Sequence, residues 1–334
     1  MSNLSEKLLE LINMELSINE ICSILNLSHK QVYNILRGLK TIGMEFNKKY
    51  YSDGETIYIP KKDLSWMTKK NNVNIITPEQ SDTVSLMVIS DLHLGSNYEN
   101  IDSINKIYDY CIKKDIHIII NAGDFIDGIN IGKLDSKKHT DDLEQIEYAI
   151  KNYPFDKNIL NFIVLGNHDV MPLLSKGIDF ATYLRNFRQD IVPLGYGHGR
   201  VNIKNDKIII NHPLGVGNVV EHELPNSYIL IKGHHHISKS CIATNGNCSF
   251  NTPTLSNLCI HEDTFLPGAV LLTIKFRNGY FDTVYLENLL INERVHVVNT
   301  TQYSVCYQRD KNSDGNIKYE EDFSKRKTLK MCKQ

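Results

Sequence analysis

Residues 86–95, LMVISDLHLG, decide the fold. The apolar run from Leu86 to Ile89 is long enough for a buried strand, and Asp91 and His93 follow shortly after it. A carboxylate and an imidazole are costly to bury unless they are paired or coordinate a metal. Sites in α/β sheets collect at the carboxyl ends of strands. The stretch therefore predicts a core strand that ends in two candidate metal ligands.

Two further blocks of the same kind follow along the chain. A strand predicted at 116–120 leads into GDFID at 123–127, and a strand predicted at 161–165 leads into GNHD at 166–169. A helical pattern precedes each of these two strands. Such an alternation gives parallel strands joined by right-handed crossovers, so the three strand ends are expected to share one edge of a sheet.

Short strands with tight turns follow a helix predicted near 177–187. We expect a second sheet from strands at 201–204, 207–211, 228–232, 247–252, 268–276 and 280–287. The second of these strands leads into His212, and the third leads into GHHH at 233–236. More imidazoles thus stand at strand ends.

In chain order, the motifs DxH, GDFID, GNHD, a lone histidine and GHHH resemble those of the calcineurin-like metallophosphoesterase superfamily, over about residues 84–286. The resemblance implies an α/β fold, a sandwich of two mixed β-sheets flanked by helices in the order α/β/β/α. It implies a phosphoesterase domain at 84–290, followed by a C-terminal extension at 291–334.

The resemblance also implies two metal ions, held by side chains from all five motifs. Asp91, His93, Asp124 and His236 would hold one ion, and Asp124, Asn167, His212 and His234 would hold the other. Two divalent ions about 3.5–4 Å apart hold a bridging hydroxide that attacks phosphorus, and they need a bridging carboxylate, here Asp124. Carboxylate and imidazole ligands favour Mn²⁺, with Fe or Zn²⁺ as alternatives.

His168, beside Asn167, is implied to be the general acid that faces the leaving-group oxygen. Asp127 is expected to orient the His168 imidazole and to raise its pKa. We expect His235 to point away from the metals and Asp169 to lie behind the ligands.

The first 60 residues follow a different pattern. An amphipathic helix is predicted at 3–14, and Ser17 with Glu20 forms a capping box that opens a short second helix. Ser28 caps a third helix, and FNKKYYSDGETIYI at 46–59 is typical of a hairpin.

This order resembles a winged helix-turn-helix domain over residues 1–60, joined to the rest by a linker at 61–83. The resemblance implies nucleic acid as a partner, DNA more than RNA, with the third helix in a major groove. The candidate contact residues are Lys30, Gln31, Tyr33, Asn34, Arg37, Lys48 and Lys49. The alternative is a winged helix that serves in homodimerisation or protein docking.

The residues after GDFID bear on the substrate. Phosphoprotein phosphatases of the superfamily continue with an arginine that binds phosphate, whereas Gly128 and Ile129 follow Asp127 here. Because a diester needs a cationic clamp less than a dianionic monoester does, we expect a phosphodiesterase, with nucleic acid as its substrate. The alternatives are a phosphodiesterase or phosphatase of small or cyclic nucleotides, and a DNA-binding regulator with a non-catalytic metal core.

Composition sets wider limits. A net charge of −2 gives the chain no overall attraction for nucleic acid or membranes. Seven cysteines without CxxC spacing indicate a reducing, cytoplasmic location and no disulfide framework. No signal-peptide pattern and no apolar run of about 18 residues is found, so we expect no membrane association.

One further motif lies near the end of the chain. Residues 310–321 match the calcium loop of an EF-hand except for Lys318, but the preceding segment is typical of a strand. The simpler interpretation is a hairpin turn around Asp314 and Gly315.

Overall fold

The computed structural model describes residues 4, 7–8, 11–12, 14–41, 46–60, 72–78, 81–129, 137–214, 228–242, 247–257, 259–260, 263–264, 266–304, 308–311 and 317–320. The helices with described bounds are α1 Ile18–Leu25, α2 His29–Thr41, α3 Ile101–Lys113, α4 Asp142–Asn152, α5 Met171–Lys176 and α6 Phe180–Phe187. The first strands are β1 Phe46–Tyr51, β2 Thr56–Pro60, β3 Asn72–Ile76, β4 Thr83–Ile89, β5 Ile118–Asn121, β6 Leu160–Leu165, β7 Ile191–Tyr196, β8 His198–Ile203, β9 Asp206–Asn211 and β10 Tyr228–Lys232. The remaining strands are β11 Lys239–Ile242, β12 Cys248–Asn251, β13 Cys259–Ile260, β14 Asp263–Thr264, β15 Gly268–Arg277, β16 Tyr280–Ile291, β17 Val295–Ser304, β18 Gln308–Lys311 and β19 Ile317–Glu320.

The first sheet has seven strands and includes β4, the strand that leads to Asp91 and His93. Its order is β17-β16-β15-β4-β5-β6-β7, and β4 to β7 run parallel while β15 to β17 run antiparallel. The predicted parallel succession of β4, β5 and β6 is confirmed, and their carboxyl ends share one edge.

An eight-stranded sheet, β11-β12-β10-β9-β8-β3-β1-β2, packs against the first one. The prediction for residues 268–276 and 280–287 was wrong in one respect, because β15 and β16 belong to the seven-stranded sheet. Alternation of apolar residues identifies a strand but not its partner. Here β15 pairs antiparallel with β4, which places Val270 opposite Val88 in the core between the sheets.

The layers follow from two apolar clusters. One face of the seven-stranded sheet packs against the eight-stranded sheet, and its other face packs against helices α3, α4 and α6. On the far face of the eight-stranded sheet, the described residues form only a small cluster of Ile209 and Leu230. The fourth layer of the predicted α/β/β/α order is therefore not among the described residues.

The N-terminal elements form a small core of their own and also extend the second sheet. Ser17 and Glu20 make the predicted capping box at the start of α1. The β1-β2 hairpin joins the eight-stranded sheet because β1 pairs in parallel with β3, a strand that lies inside the predicted linker. Tyr50 on β1 enters the core between the sheets, with its ring centroid 5.3 Å from that of Phe162.

At the other end, β17 completes the seven-stranded sheet, so the predicted extension at 291–334 begins inside the fold. Strands β18 and β19 pair antiparallel and include residues 310–311 and 317–320 of the candidate calcium loop, whose residues 312–316 and 321 lie outside the described ones. Among the described residues, no helix is both long and apolar enough to cross a membrane.

Candidate metal centre

Strand ends of both sheets deliver the candidate ligands to one place. Asp91 and His93 follow β4, Asp124 follows β5, and Asn167 follows β6. From the eight-stranded sheet, His212 follows β9, and His234 and His236 follow β10. Because β9 and β10 are parallel neighbours, these three imidazoles also stand at one edge.

The first group consists of Asp91, His93 and His236, whose ligand atoms lie within 4.8 Å of one another. Asp91 Oδ1 is 3.2 Å from His236 Nε2. His93 Nε2 is buried and has no hydrogen-bond partner. A buried polar atom is costly to leave unpaired, so this nitrogen, beside the buried Asp91 carboxylate, fits the coordination of a cation.

The second group consists of Asp124, His212 and His234. His212 Nε2 lies 3.0 Å from Asp124 Oδ2, and Asn167 Oδ1 lies 3.1 Å from the same imidazole nitrogen and 3.0 Å from His234 Nδ1. Asp124 also groups with His93 and His168. It therefore lies between the two sets of ligands, where a bridging carboxylate is needed.

Electrostatics couple the two groups. Burial alone would raise the pKa of Asp124, but the charges of His212 and His168 outweigh burial and hold that pKa below its usual value. Burial opposes the charged form of His212, yet the Asp124 carboxylate raises the pKa of His212 to about 10. Metal ligation requires deprotonated imidazole, so a divalent cation would replace the proton that this pair shares.

The backbone is strained at five of the seven candidate ligands. Asp91, His93, Asp124, His234 and His236 have φ values of 55°, 47°, 52°, 75° and 60°. Such left-handed conformations cost about 1–3 kcal/mol per residue outside glycine and persist where the surroundings impose them, most often at functional sites.

Asp169 lies behind the ligands, as expected. Its carboxylate accepts hydrogen bonds from the backbone N–H groups of Phe125 at 3.1 Å, Ile126 at 2.8 Å and Gly166 at 2.8 Å. Burial and the nearby Asp124 raise the pKa of Asp169 to about 7. Asp169 thus fixes the turns that carry Asp124 and Asn167.

Asp127 holds His168 through its backbone carbonyl, whereas the sequence predicts its carboxylate in that role. His168 Nδ1 lies 2.5 Å from the backbone carbonyl oxygen of Asp127 and 3.8 Å from its carboxylate oxygen Oδ1. Burial is the main influence on His168 and lowers its pKa, although Asp124 and Asp127 act in the other direction. The Asp127 carboxylate instead accepts from His93 Nδ1 at 3.1 Å and contacts Lys137 Nζ.

Sequence reasoning missed Lys137. Its side chain is 1% exposed. A lysine in a polar stretch is normally solvated, so no signal in the sequence distinguishes it.

The structure divides the candidate nucleic-acid contacts. Tyr33 lines a small cavity with Phe155 and Asp190, the Arg37 guanidinium lies 5.5 Å from the Phe187 ring centroid, and Lys48 Nζ lies 3.4 Å from Gln189 Oε1. Lys49 forms an ion pair with Glu15 at 2.8 Å. The remaining three, Lys30, Gln31 and Asn34, are exposed, and Arg37 is exposed as well.

Comparisons with known proteins identify the relatives of this chain. A family model described as calcineurin-like phosphoesterase matches residues 84–298. A search of curated protein sequences gives no match.

Solved structures similar to this chain include vacuolar protein sorting 29 of Cryptosporidium parvum, at 16% identity, covering 67% of this chain and 100% of that one, with a TM-score of 0.40. The phosphoesterase YfcE of E. coli matches at 15% identity, covering 67% and 100%, with a TM-score of 0.41. A dimetal phosphatase of Danio rerio matches at 12% identity, covering 66% and 99%, with a TM-score of 0.40. These scores are too low for any of the three to bear on the site.

Proposed function

Since the chain belongs to the calcineurin-like phosphoesterase family, we propose that it is a phosphodiesterase that uses two divalent metal ions and acts on nucleic acid, DNA more than RNA. The observation that supports this most is the convergence of seven candidate ligands from both sheets, with His93 Nε2 buried and without a hydrogen-bond partner. Asp91, His93, Asp124 and His236 would hold one ion, and Asp124, Asn167, His212 and His234 the other. The set of oxygen and imidazole donors suits Mn²⁺, Fe or Zn²⁺.

The bound ions would supply Lewis-acid activation of water and of the phosphate oxygens. His168 stands at the rim of the site, with its side chain 17% exposed and its Nδ1 held by the Asp127 carbonyl. Because the Asp127 carbonyl accepts the Nδ1 proton, Nε2 would give its proton to the leaving-group oxygen from the imidazolium form, which the charges of Asp124 and Asp127 favour against burial. Asn167 adds an oxygen donor without charge, which limits repulsion of an anionic substrate.

The charge around the site favours a diester. Within the described part of the chain, Lys137 is the cation that contacts the site residues. Its Nζ forms an ion pair with the Asp127 carboxylate. A monoester dianion gains more than a diester from a free cationic clamp, and no arginine follows GDFID.

Hydrolysis assays with Mn²⁺ test this proposal. The substrates are bis-p-nitrophenyl phosphate, p-nitrophenyl phosphate, single- and double-stranded DNA, RNA and cyclic nucleotides. We expect cleavage of the chromogenic diester and of DNA. Hydrolysis of the monoester alone would overturn the proposed diester specificity.

The nucleic-acid part of the proposal rests on the exposed side of α2. Lys30, Gln31 and Asn34 offer one ammonium and two amides to an anionic backbone. Lys30→Glu should weaken binding of a long DNA duplex and reduce the slope of log affinity against log salt by about 1 per lost phosphate contact. Binding of DNA that is unaffected by Lys30→Glu would remove α2 from the interface.

A second candidate function has one observation in its favour. Arg37 and Lys48 contact the phosphoesterase part of the chain, and Tyr33 lines a cavity together with Phe155 and Asp190 of that part. These positions suit a winged helix that docks within the protein while the centre hydrolyses small or cyclic nucleotides. The same assays separate the two functions, because only this candidate predicts rapid cleavage of cyclic nucleotides with no cleavage of DNA.

A further inference from the structure

Lys137 is buried directly behind the metal centre. Its Nζ contacts Asp127 Oδ2 and lies 3.4 Å from the Asp127 carbonyl oxygen. The backbone fixes the position of Lys137. Lys137 and Ser96 form an isolated antiparallel β-bridge, and the N–H of Lys138 donates to the carbonyl of Gly95 at 2.9 Å. A buried ammonium is costly unless it is paired, so its position requires the Asp127 carboxylate.

The other oxygen of the same carboxylate controls a candidate ligand. Asp127 Oδ1 accepts from His93 Nδ1 at 3.1 Å, so Nδ1 carries the proton and Nε2 presents a lone pair. That Nε2 is buried without a hydrogen-bond partner and belongs to the group with Asp91 and His236. Carboxylates that hold a ligating imidazole in this way fix its tautomer and its orientation.

From this chain of contacts we infer that Lys137 is a positioning residue: it anchors the Asp127 carboxylate against His93 and thereby aims His93 Nε2 at the metal held by Asp91 and His236. The inference rests on the proposed function for the presence of that metal. It also separates two roles within one residue, since the Asp127 carboxylate serves His93 while its carbonyl serves His168.

Loss of the ammonium should leave the carboxylate free to turn away from His93. Outer partners of metal ligands typically contribute 10–100-fold to metal affinity. We therefore expect Lys137→Met to weaken Mn²⁺ binding by about 10–100-fold. Lys137→Arg, which keeps the charge, should recover most of the affinity.

The matched control is Lys138→Met. Lys138 is the next residue on the same loop, but its Nζ pairs with Glu99 Oε1 at 2.6 Å. This variant should bind Mn²⁺ like the wild type. Lys137→Gln provides the same comparison as Lys137→Met if the methionine variant does not fold.

Titration calorimetry of Mn²⁺ into the full-length apoprotein, in a double-mutant cycle, is the experiment. If Lys137 acts through the carboxylate, Lys137→Met should have little further effect in an Asp127→Asn background, because a neutral amide no longer needs the ammonium. Additive losses of affinity, or wild-type affinity in Lys137→Met, would overturn the inference. A raised KM for bis-p-nitrophenyl phosphate with unchanged Mn²⁺ binding would also overturn it, since Lys137 would then be a substrate contact.

The two proposals fail in different ways. A wild-type protein that binds Mn²⁺ but cleaves no phosphodiester would refute the proposed function and leave the binding cycle interpretable. A wild-type protein that cleaves the diester, with Lys137→Met equally tight for Mn²⁺, would refute the positioning role alone.

Discussion

We propose His168 as the general acid of the site and not as a metal ligand. Its ring centroid lies 4.6 Å from that of His93, and its Nε2 is 3.9 Å from Asp124 Oδ2. His168→Ala should keep the metal content and lower turnover of bis-p-nitrophenyl phosphate by about 10²- to 10⁴-fold, the usual contribution of a general acid.

His235→Ala is the control for that prediction. His235 is exposed, and its ring contacts His234 with a centroid distance of 5.7 Å. Turnover should change little in this variant. A loss of metal in His168→Ala equal to the loss of activity would make His168 a ligand.

Gly166 leaves space that the ligands occupy. A Cβ at this position would overlap Asp124 Oδ1 and lie 2.7 Å from both the Asp124 backbone nitrogen and His212 Cδ2. Gly166→Ala should therefore displace Asp124 and reduce Mn²⁺ binding, as measured by calorimetry.

Gly38 on helix α2 is the matched position. A Cβ there would meet nothing within 4 Å, so Gly38→Ala should stabilise the protein by about 0.5–1 kcal/mol through helix propensity.

The Gly166 prediction has its own contrary outcome. Normal Mn²⁺ affinity in Gly166→Ala would show that the turns at the site have more room than the structure gives them.

At this scale the sequence predicts residue types well and partners poorly. Asp91, His93 and Asp124 stand out because charged groups at the ends of apolar strands need a reason. The sequence does not identify the partner of the Asp127 carboxylate. GDFID and GNHD lie close in space whether that carboxylate turns to His168 or to His93. Lys137 gives no signal at all, because burial of a lysine is decided by the loop that carries it.

Among the elements, the β1-β2 hairpin links the N-terminal residues to the eight-stranded sheet. Tyr50 is 9% exposed and packs into the core between the sheets. Tyr50→Ala should lower the free energy of unfolding by about 3–5 kcal/mol, as for other large core aromatics, while Tyr50→Phe should cost less than about 1.5 kcal/mol. Urea unfolding measures both.

The contrary outcome is specific. If Tyr50→Ala affected stability no more than Tyr50→Phe, the hairpin would not be part of the main core. The N-terminal unit would then be an appended domain, as the sequence alone predicts.

The elements show which patterns carry information. The sequence predicts strands β4, β5 and β6 because each contains an apolar run and these runs alternate with helical patterns, as is typical of buried parallel strands. Strand β3, NVNII, was missed because it is short and alternates with asparagine. The sheet that holds β15 was predicted wrongly, because pairing with β4 depends on contacts between residues far apart in sequence.

For the whole molecule, the shared sheet predicts one cooperative unit. The β1-β3 pairing and the Tyr50 contact tie residues 46–60 to the phosphoesterase sandwich. Deletion of residues 1–60 should therefore lower the Tm of the remaining protein and expose the edge of β3. A truncated protein with the Tm and diester hydrolysis of the full chain would show that the N-terminal part is dispensable for folding.

The central claim is that seven side chains from two sheets hold a pair of divalent ions. The most direct test is elemental analysis after loading with Mn²⁺ and dialysis against metal-free buffer, for the wild type and for Asp124→Asn, which removes the bridging carboxylate. We expect about two ions per wild-type chain, matching a two-metal site, and a clear loss in the variant. Retention of no metal by the wild type, or equal retention by Asp124→Asn, would contradict it.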